Sequence, residues 1–354
     1  MDKTANRTVA MRACLWALLA FCSLPARAFV CPVPPPTIVT VTGIDFYIDN
    51  KHSVIDPRLE QRSVEMNKPL RDAMYELGEM ADGTGRARDP MSADCALGWL
   101  RQWARDGAFT KLGRGGTVER AVAVASASDA YCTVLRRMDV SAEDRALIGG
   151  WFVGLARSLV ELENSVRPGE QQNNVTFWSA LAVHNIGTLQ HDEHLKRWAG
   201  EVYQRGLDSI NADGFFANEI KRGRQALRYQ WFALAPLVVM YVVSGDDDGL
   251  RSSDDTARLR KALAAAQASL VDVGPISRDA GTNVDAAGIR DYTLTRTTAR
   301  LSRCVSPSFA AMNLDVPPDR DIARDWRLAS AFAYPTCVDV ARWGDPEGRH
   351  GRAN

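Results

Sequence analysis

Residues 173–236 decide how this chain reads. The stretch opens Asn173-Asn174-Val175-Thr176-Phe177-Trp178 and passes through Asp213-Gly214-Phe215 and Asn218-Glu219. It ends in Ala226-Leu227-Arg228-Tyr229 and Ala233-Leu234-Ala235-Pro236. Two polar helix starts flank a mostly apolar helix. Residues three or four apart share a helix face. A helix over 217–243 therefore puts Gln225, Tyr229, Phe232 and Pro236 on one stripe, with Arg224 and Arg228 on the next. Lys221, Arg222, Arg224 and Arg228 crowd its first turns. A basic, aromatic and amide-bearing stripe facing a cleft would suit a polyanionic sugar.

Outward from this stretch the pattern is helical almost throughout. It predicts helices near 58–80, 92–107, 117–137, 142–166, 174–189, 193–210, 217–243, 255–272 and 320–341. Gly and Pro cluster between them, as at Asp82-Gly83-Thr84-Gly85 and Arg167-Pro168-Gly169. Asp56 with Pro57, and Ser141 with Asp144 three residues on, are helix-start signals. The class is all-α. Helices of similar length on short connections imply antiparallel hairpins. Residues 274–319, polar with a few prolines, predict a long and poorly regular excursion.

Residues 1–28 have the form of an export signal. Lys3, Arg7 and Arg12 precede the short apolar run 13–21, and Ala26-Arg27-Ala28 offers a cleavage site. The mature protein is then expected to be periplasmic or secreted. The chain holds 43 basic and 43 acidic residues; removing four basic and one acidic residue with the leader leaves 39 against 42. That balance argues against nucleic-acid binding and requires any polyanion to be met by a local basic groove. The remaining 326 residues suffice for one large core or two domains. Cys31, Cys95, Cys132, Cys304 and Cys337 survive the leader, an odd count that implies one or two disulfides and a free thiol. No cofactor or metal is expected, since the cysteine spacings fit no zinc site. Residues 244–249 lack the ligand alternation of a calcium loop. The apolar run 231–243, with Pro236 inside, reads as a buried helix and not as a membrane span.

The motifs of 173–236 resemble those of the alginate lyase family of polysaccharide lyases, including the periplasmic poly(mannuronate) lyases. That family carries Asn-Asn-His-(Ser/Leu)-Tyr-Trp, then Asp-Gly-Phe-x-x-Asn-Glu, then Arg-Ala-Leu-x-Tyr-His-x-(Tyr/Phe). The resemblance takes in Cys31-Pro32-Val33-Pro34-Pro35-Pro36, Cys95-Ala96-Leu97-Gly98-Trp99 and Trp103-Ala104, and it fades beyond about 250. It implies an (α/α) toroid, an incomplete barrel of helix hairpins with a central cleft, over 58–345. Residues 29–57 would be an irregular segment and possible lid, and 346–354 a tail. An ordinary surface loop remains the alternative for the lid. The family His is Val175 here, the Arg before Ala-Leu is Gln225, and the second Tyr, an acid/base in that family, is Phe232.

The activity implied is cleavage of a 4-linked, mannuronate-type polyuronate by β-elimination, by a monomer whose partner is an anionic polysaccharide. A catalytically degenerate polyuronate-binding protein is the alternative. A glycoside hydrolase would need two opposed carboxylates, and no pair stands out. Elimination requires a neutralised C5 carboxylate, a base for the C5 proton and an acid for the departing O4. By resemblance Asn174 and Tyr229 are the catalytic candidates, with Arg222, Arg224 and Arg228 expected to lower the Tyr229 pKa. Asn173 is equally well explained as a helix cap. The candidate substrate contacts are Asn173, Arg222, Arg224, Arg228, Trp99, Trp178, Lys68 and, from the lid, Tyr47 and His52. Glu219 is expected to orient an arginine, and His52 is the only histidine placed to replace a proton carrier. The family context also pairs Cys31 with Cys95. Peptide mapping under non-reducing conditions should recover that disulfide, and a free thiol at either position rejects it.

Overall fold

In the computed structural model, residues 30–84, 89–166, 172–244, 249–290, 292–311 and 325–328 are described. In chain order the elements are β1 (Thr40–Val41), α1 (Pro57–Met66), α2 (Lys68–Asp82), α3 (Ser92–Asp106), β2 (Lys111–Leu112), α4 (Thr117–Arg137), α5 (Ala142–Val166), α6 (Asn174–Gln190), α7 (Glu193–Asp208), α8 (Ala217–Ile220), α9 (Ala226–Val243), α10 (Ser253–Ala268), α11 (Gly274–Ala280) and α12 (Thr293–Ser302). Short 3₁₀ turns cover Gly223–Gln225, Pro307–Ala311 and Trp326–Leu328.

The fold of the unit from Val33 onward is built around α6. Every residue from Asn174 to Gly187 is buried, so this helix has to be enclosed on all sides. Helices α4, α5, α7 and α9 pack against it. Neighbours on short connections, such as α2 with α3, α3 with α4 and α6 with α7, pack as hairpins. The result is the expected (α/α) toroid. By length and composition the segment Gly223–Val243 could cross a membrane, but it lies largely buried among the other helices.

Helix α9 carries Pro236 in its interior. Proline has no N–H, so the carbonyl four residues back, that of Phe232, loses its helical donor. The indole Nε1–H of Trp178 donates to that carbonyl at 3.2 Å. One side chain of α6 thus repairs the break in α9 and sets the two helices side by side.

Several starts follow the sequence signals. The Asp56 side chain accepts from the N–H groups of Arg58 and Leu59, and Ser141 Oγ accepts from the Asp144 N–H. Others do not. The helix expected over 58–80 divides at Asn67, because Pro69 cannot donate to the turn before it. The helix expected over 217–243 is α8, a 3₁₀ turn and α9, separated where Gly223 takes φ 53°. The excursion expected over 274–319 contains α11 and α12, and α12 packs on α9. Of the helix expected over 320–341, only 325–328 fall within the described residues, and three of these form a 3₁₀ turn. The leader, residues 245–248 with Asp246, Asp247 and Asp248, Cys337 and the tail lie outside them. Cys31, Cys95 and Cys304 are disulfide-bonded, while Cys132 is free and buried.

Strand β1 pairs in parallel with β2, Thr40 opposite Lys111 and Val41 opposite Leu112. The chain beyond β2 then runs hard against β1: a Cβ on Gly116 would meet the Val41 carbonyl oxygen at 2.2 Å. This close approach places the first turn of α4 beside Gly43, where the 44–55 loop departs.

Trp178→Phe tests the link between α6 and α9. It leaves the Phe232 carbonyl buried without a donor, and stability should fall by about 1–3 kcal/mol. A lower urea midpoint is the expected result; an unchanged one would mean that the indole does not support α9.

Candidate active site

A cleft of ≈ 580 Å³ opens between the 44–55 loop, α1, the first turns of α4 and α6, the α8–α9 region and the segment around Tyr292 and Arg327. Arg71, Arg222, Arg228 and Arg327 line it, against Asp45 and Glu119. The near-neutral chain therefore concentrates positive charge in this cleft.

The N-terminus of α6 forms one wall. Asn173 caps the helix, its side chain accepting from the Val175 N–H at 3.0 Å, and it also lines the cleft. Asn174 is bound twice by Glu219: its backbone N–H donates to Oε1 at 2.9 Å and its side-chain amide to Oε2 at 2.8 Å. An amide nitrogen has two hydrogens, so Asn174 keeps one donor beyond this contact. Glu219 is completely buried, which raises its carboxyl pKa, while Arg222 and Asn174 pull the other way. Its Oε2 lies 3.7 Å from Arg222 Nε. The expected role of Glu219, orienting an arginine, is thus one of two.

Arg222 is the hub. Its guanidinium sits 4.9 Å from the Tyr229 ring centroid and donates to His52 Nδ1. Tyr229 and Tyr47 share a hydrogen bond of 2.5 Å between their hydroxyls. The sequence expected nearby arginines to lower the Tyr229 pKa. Burial instead drives it well above the ordinary value, with Tyr47 adding to the rise and Arg222 and Arg228 only opposing it. The neutral hydroxyl of Tyr229 is therefore favoured over the phenolate. Arg228 donates to Glu60 at 3.2 Å and lies over the Tyr292 ring at 5.9 Å.

Four candidates stand elsewhere. Arg224 is exposed and does not line the cleft, because the turn at Gly223 sends Arg222 inward in its place. Lys68 is exposed and ion-paired with Asp72 on its own helix. Trp99 is buried against Trp103 at 5.9 Å, four residues along the same helix face. Trp178 is buried and bound to the Phe232 carbonyl. His184 is buried away from the cleft, His191 is exposed at the end of α6 and His194 is exposed in the first turn of α7.

Sequence reasoning missed Asn67, Arg71, Glu119, Tyr292 and Arg327. Tyr292 accepts a hydrogen bond from Arg327, whose guanidinium is held by both oxygens of Asp325 at 2.7 and 2.9 Å. Burial works against the Arg327 charge, but Asp325 and Tyr292 outweigh it and hold the group protonated. Both residues lie past the point where the motifs fade. Glu119, at the start of α4, looks in sequence like an ordinary acid answering the helix dipole.

Known proteins resemble this chain in sequence and in fold. A family profile described as Alginate lyase matches residues 126–274. A polysaccharide lyase of Stenotrophomonas maltophilia (strain K279a) is 34% identical over 232 residues, 63% of this chain and 68% of that protein. The alginate lyase of Pseudomonas aeruginosa PAO1 is 29% identical over 224 residues, and the match spans 59% of each chain. A tetrasaccharide complex of alginate lyase A1-III superposes with a TM-score of 0.64 at 20% identity, covering 89% of both chains; at that identity it speaks for the fold. The chain is a polysaccharide lyase by class. Specifically, it belongs to the alginate lyase family.

Glu119 yields a pH prediction. Burial raises its carboxyl from the ordinary 4.5 to about 7, a hydrogen bond from Asn67 opposing only in part. Between those values the folded state holds a proton that the unfolded chain has lost, so stability falls as pH rises from 4.5 to about 7. Glu119→Gln should flatten that fall and melt higher than the unaltered protein above pH 7. Superimposable melting curves across the range would refute it.

Proposed function

We propose that this protein is an exported lyase that cleaves a 4-linked polyuronate of the mannuronate type by β-elimination. One observation carries the reading: Arg222 lies between the Asn174–Glu219 pair and Tyr229 in an arginine-lined cleft. Family membership supports the reaction class, and the tetrasaccharide complex of the A1-III neighbour supports a sugar-chain ligand.

The chemistry follows from the groups present. Asn174 and Arg222 meet the substrate's C5 carboxylate and take up charge as the C5 proton leaves. Arg71 has no ion pair among the described residues and offers a further cation along the cleft. Tyr229 keeps its proton and donates it to the departing O4. The resulting phenolate is stabilised by Arg222 and Arg228, and Tyr47 holds the hydroxyl in place. Tyr47 and His52 close over the chain from the loop side. The leader-like residues 1–28 support action in the periplasm or outside the cell.

Formation of a C4–C5 double bond raises ultraviolet absorbance, so a panel of alginate, polymannuronate and polyglucuronate tests the reading. Tyr229→Phe should lower kcat by roughly 10²–10⁴-fold while substrate binding persists. Normal turnover by that variant would reject the assignment of Tyr229. Binding without unsaturated product on every polymer would make the protein a polyuronate binder.

A further inference from the structure

With Val175 apolar, the helix walls of the cleft bring no histidine to accept the C5 proton, and the one histidine among its lining residues is His52 on the loop opposite. We propose that His52, backed by Asp45 on the same loop, is that acceptor. The inference rests on the lyase reading and names the base that reading leaves open.

The 44–55 loop is built to hold this side chain. Tyr47 bridges to Ile55, and Ile48 N–H donates to the Val54 carbonyl at 3.0 Å. The Asp49 carboxylate accepts from the N–H groups of Ser53 and Val54, both at 2.8 Å, and from Ser53 Oγ at 2.7 Å. Inside this tight turn His52 takes φ 52°. The left-handed region is uncommon for a residue with a side chain, and such conformations concentrate where function demands them.

The partners around the ring set the role of each nitrogen. A guanidinium can only donate, so Nδ1, which faces Arg222, carries the lone pair. The proton then sits on Nε2, 3.5 Å from Asp45 Oδ2. This is the carboxylate–imidazole order that orients a general base and supports the imidazolium it becomes. Its basic nitrogen points into the cleft at the guanidinium that also lies over Tyr229. The groups facing His52 are Asp45, Arg222 and the ring of Tyr47, at 5.1 Å between centroids. When Arg222 turns to the substrate carboxylate, it uncovers Nδ1 next to the carbon that bears that carboxylate.

The step balances without a co-reactant. Nδ1 takes the C5 proton, the freed electron pair forms the C4–C5 double bond, and the C4–O4 bond breaks. O4 receives the Tyr229 proton. The His52 imidazolium then returns its proton, through Tyr47 or water, to the Tyr229 phenolate. His52 is the catalytic residue and Asp45 a positioning residue.

The test uses the full-length protein and the polymer on which it is most active. His52→Ala and the polar replacement His52→Gln should each lower kcat by roughly 10²–10⁴-fold, with KM and melting temperature little changed. Imidazole added to His52→Ala should restore part of the lost rate, which a merely structural loop residue would not allow. Asp45→Asn should lower kcat by less, again without raising KM. A kcat within a few-fold of the unaltered protein in His52→Gln, or a loss seen only in KM, overturns the assignment and leaves the lyase reading intact. An unaltered protein that makes no unsaturated product on any polymer overturns both.

Discussion

The carboxylate of Glu219 joins the two halves of the cleft. It is buried completely, and an ionised carboxylate so placed is costly unless charge and hydrogen bonds surround it. Asn174 supplies two hydrogen bonds from the start of α6, and Arg222 supplies charge from the turn before α9. Because the carboxylate needs both, it holds the two segments in register. Everything that Arg222 reaches, the Tyr229 ring and the His52 nitrogen, takes its position from this contact. The Trp178–Phe232 bond does the same one turn deeper, fixing α9 against α6 behind the cleft.

This arrangement explains how a chain of balanced charge presents a cationic groove. The arginines that line it are not loose surface groups. Arg228 is tied to Glu60, Arg327 to Asp325 and Arg222 to Glu219. Each partner fixes a guanidinium in direction, and Arg71 adds a charge without an ion pair among the described residues. Arg228 and Arg327, so held, need little reorganisation when an anionic chain arrives, which is the condition for strong electrostatic stabilisation, and Arg222 has only to exchange His52 for the substrate. The same ties offset three of the four like charges that line the cleft.

Much of this was legible in the chain, for reasons that differ by residue. Helix class, the caps at Asp56 and Ser141 and the buried nature of α9 follow from local pattern, which is short-range physics. Asn173, Asn174, Arg222, Arg228 and Tyr229 sit in or beside ordered motifs, Tyr47 and His52 in the segment expected as a lid, and all line one cleft. Arg224 was misplaced because one glycine at φ 53° ended the helix periodicity on which its stripe depended. Trp99 and Trp178 carry the same motif signal as cleft residues, yet the need to fill the core and to satisfy a proline-freed carbonyl decided their places. Tyr292, Arg327 and Glu119 reach the cleft through tertiary packing alone, and no spacing in the sequence could announce them.

The direction of the Tyr229 shift shows why motif matching alone misassigns roles. Three arginines within seven residues of a tyrosine suggest a phenol easily ionised. Arg224 points away, and burial beside a second phenol outweighs the two that remain. A hydroxyl held in its neutral form gives protons and does not take them, so the chemistry must divide between two groups. In the proposed cleft the giver stands on a helix and the taker on the loop opposite, with one guanidinium between them. Val175 and Phe232 then cease to be gaps in a catalytic set. They are apolar wall; in the proposed reading Tyr229, on the same helix as Phe232, gives the proton and His52 takes one from the loop opposite.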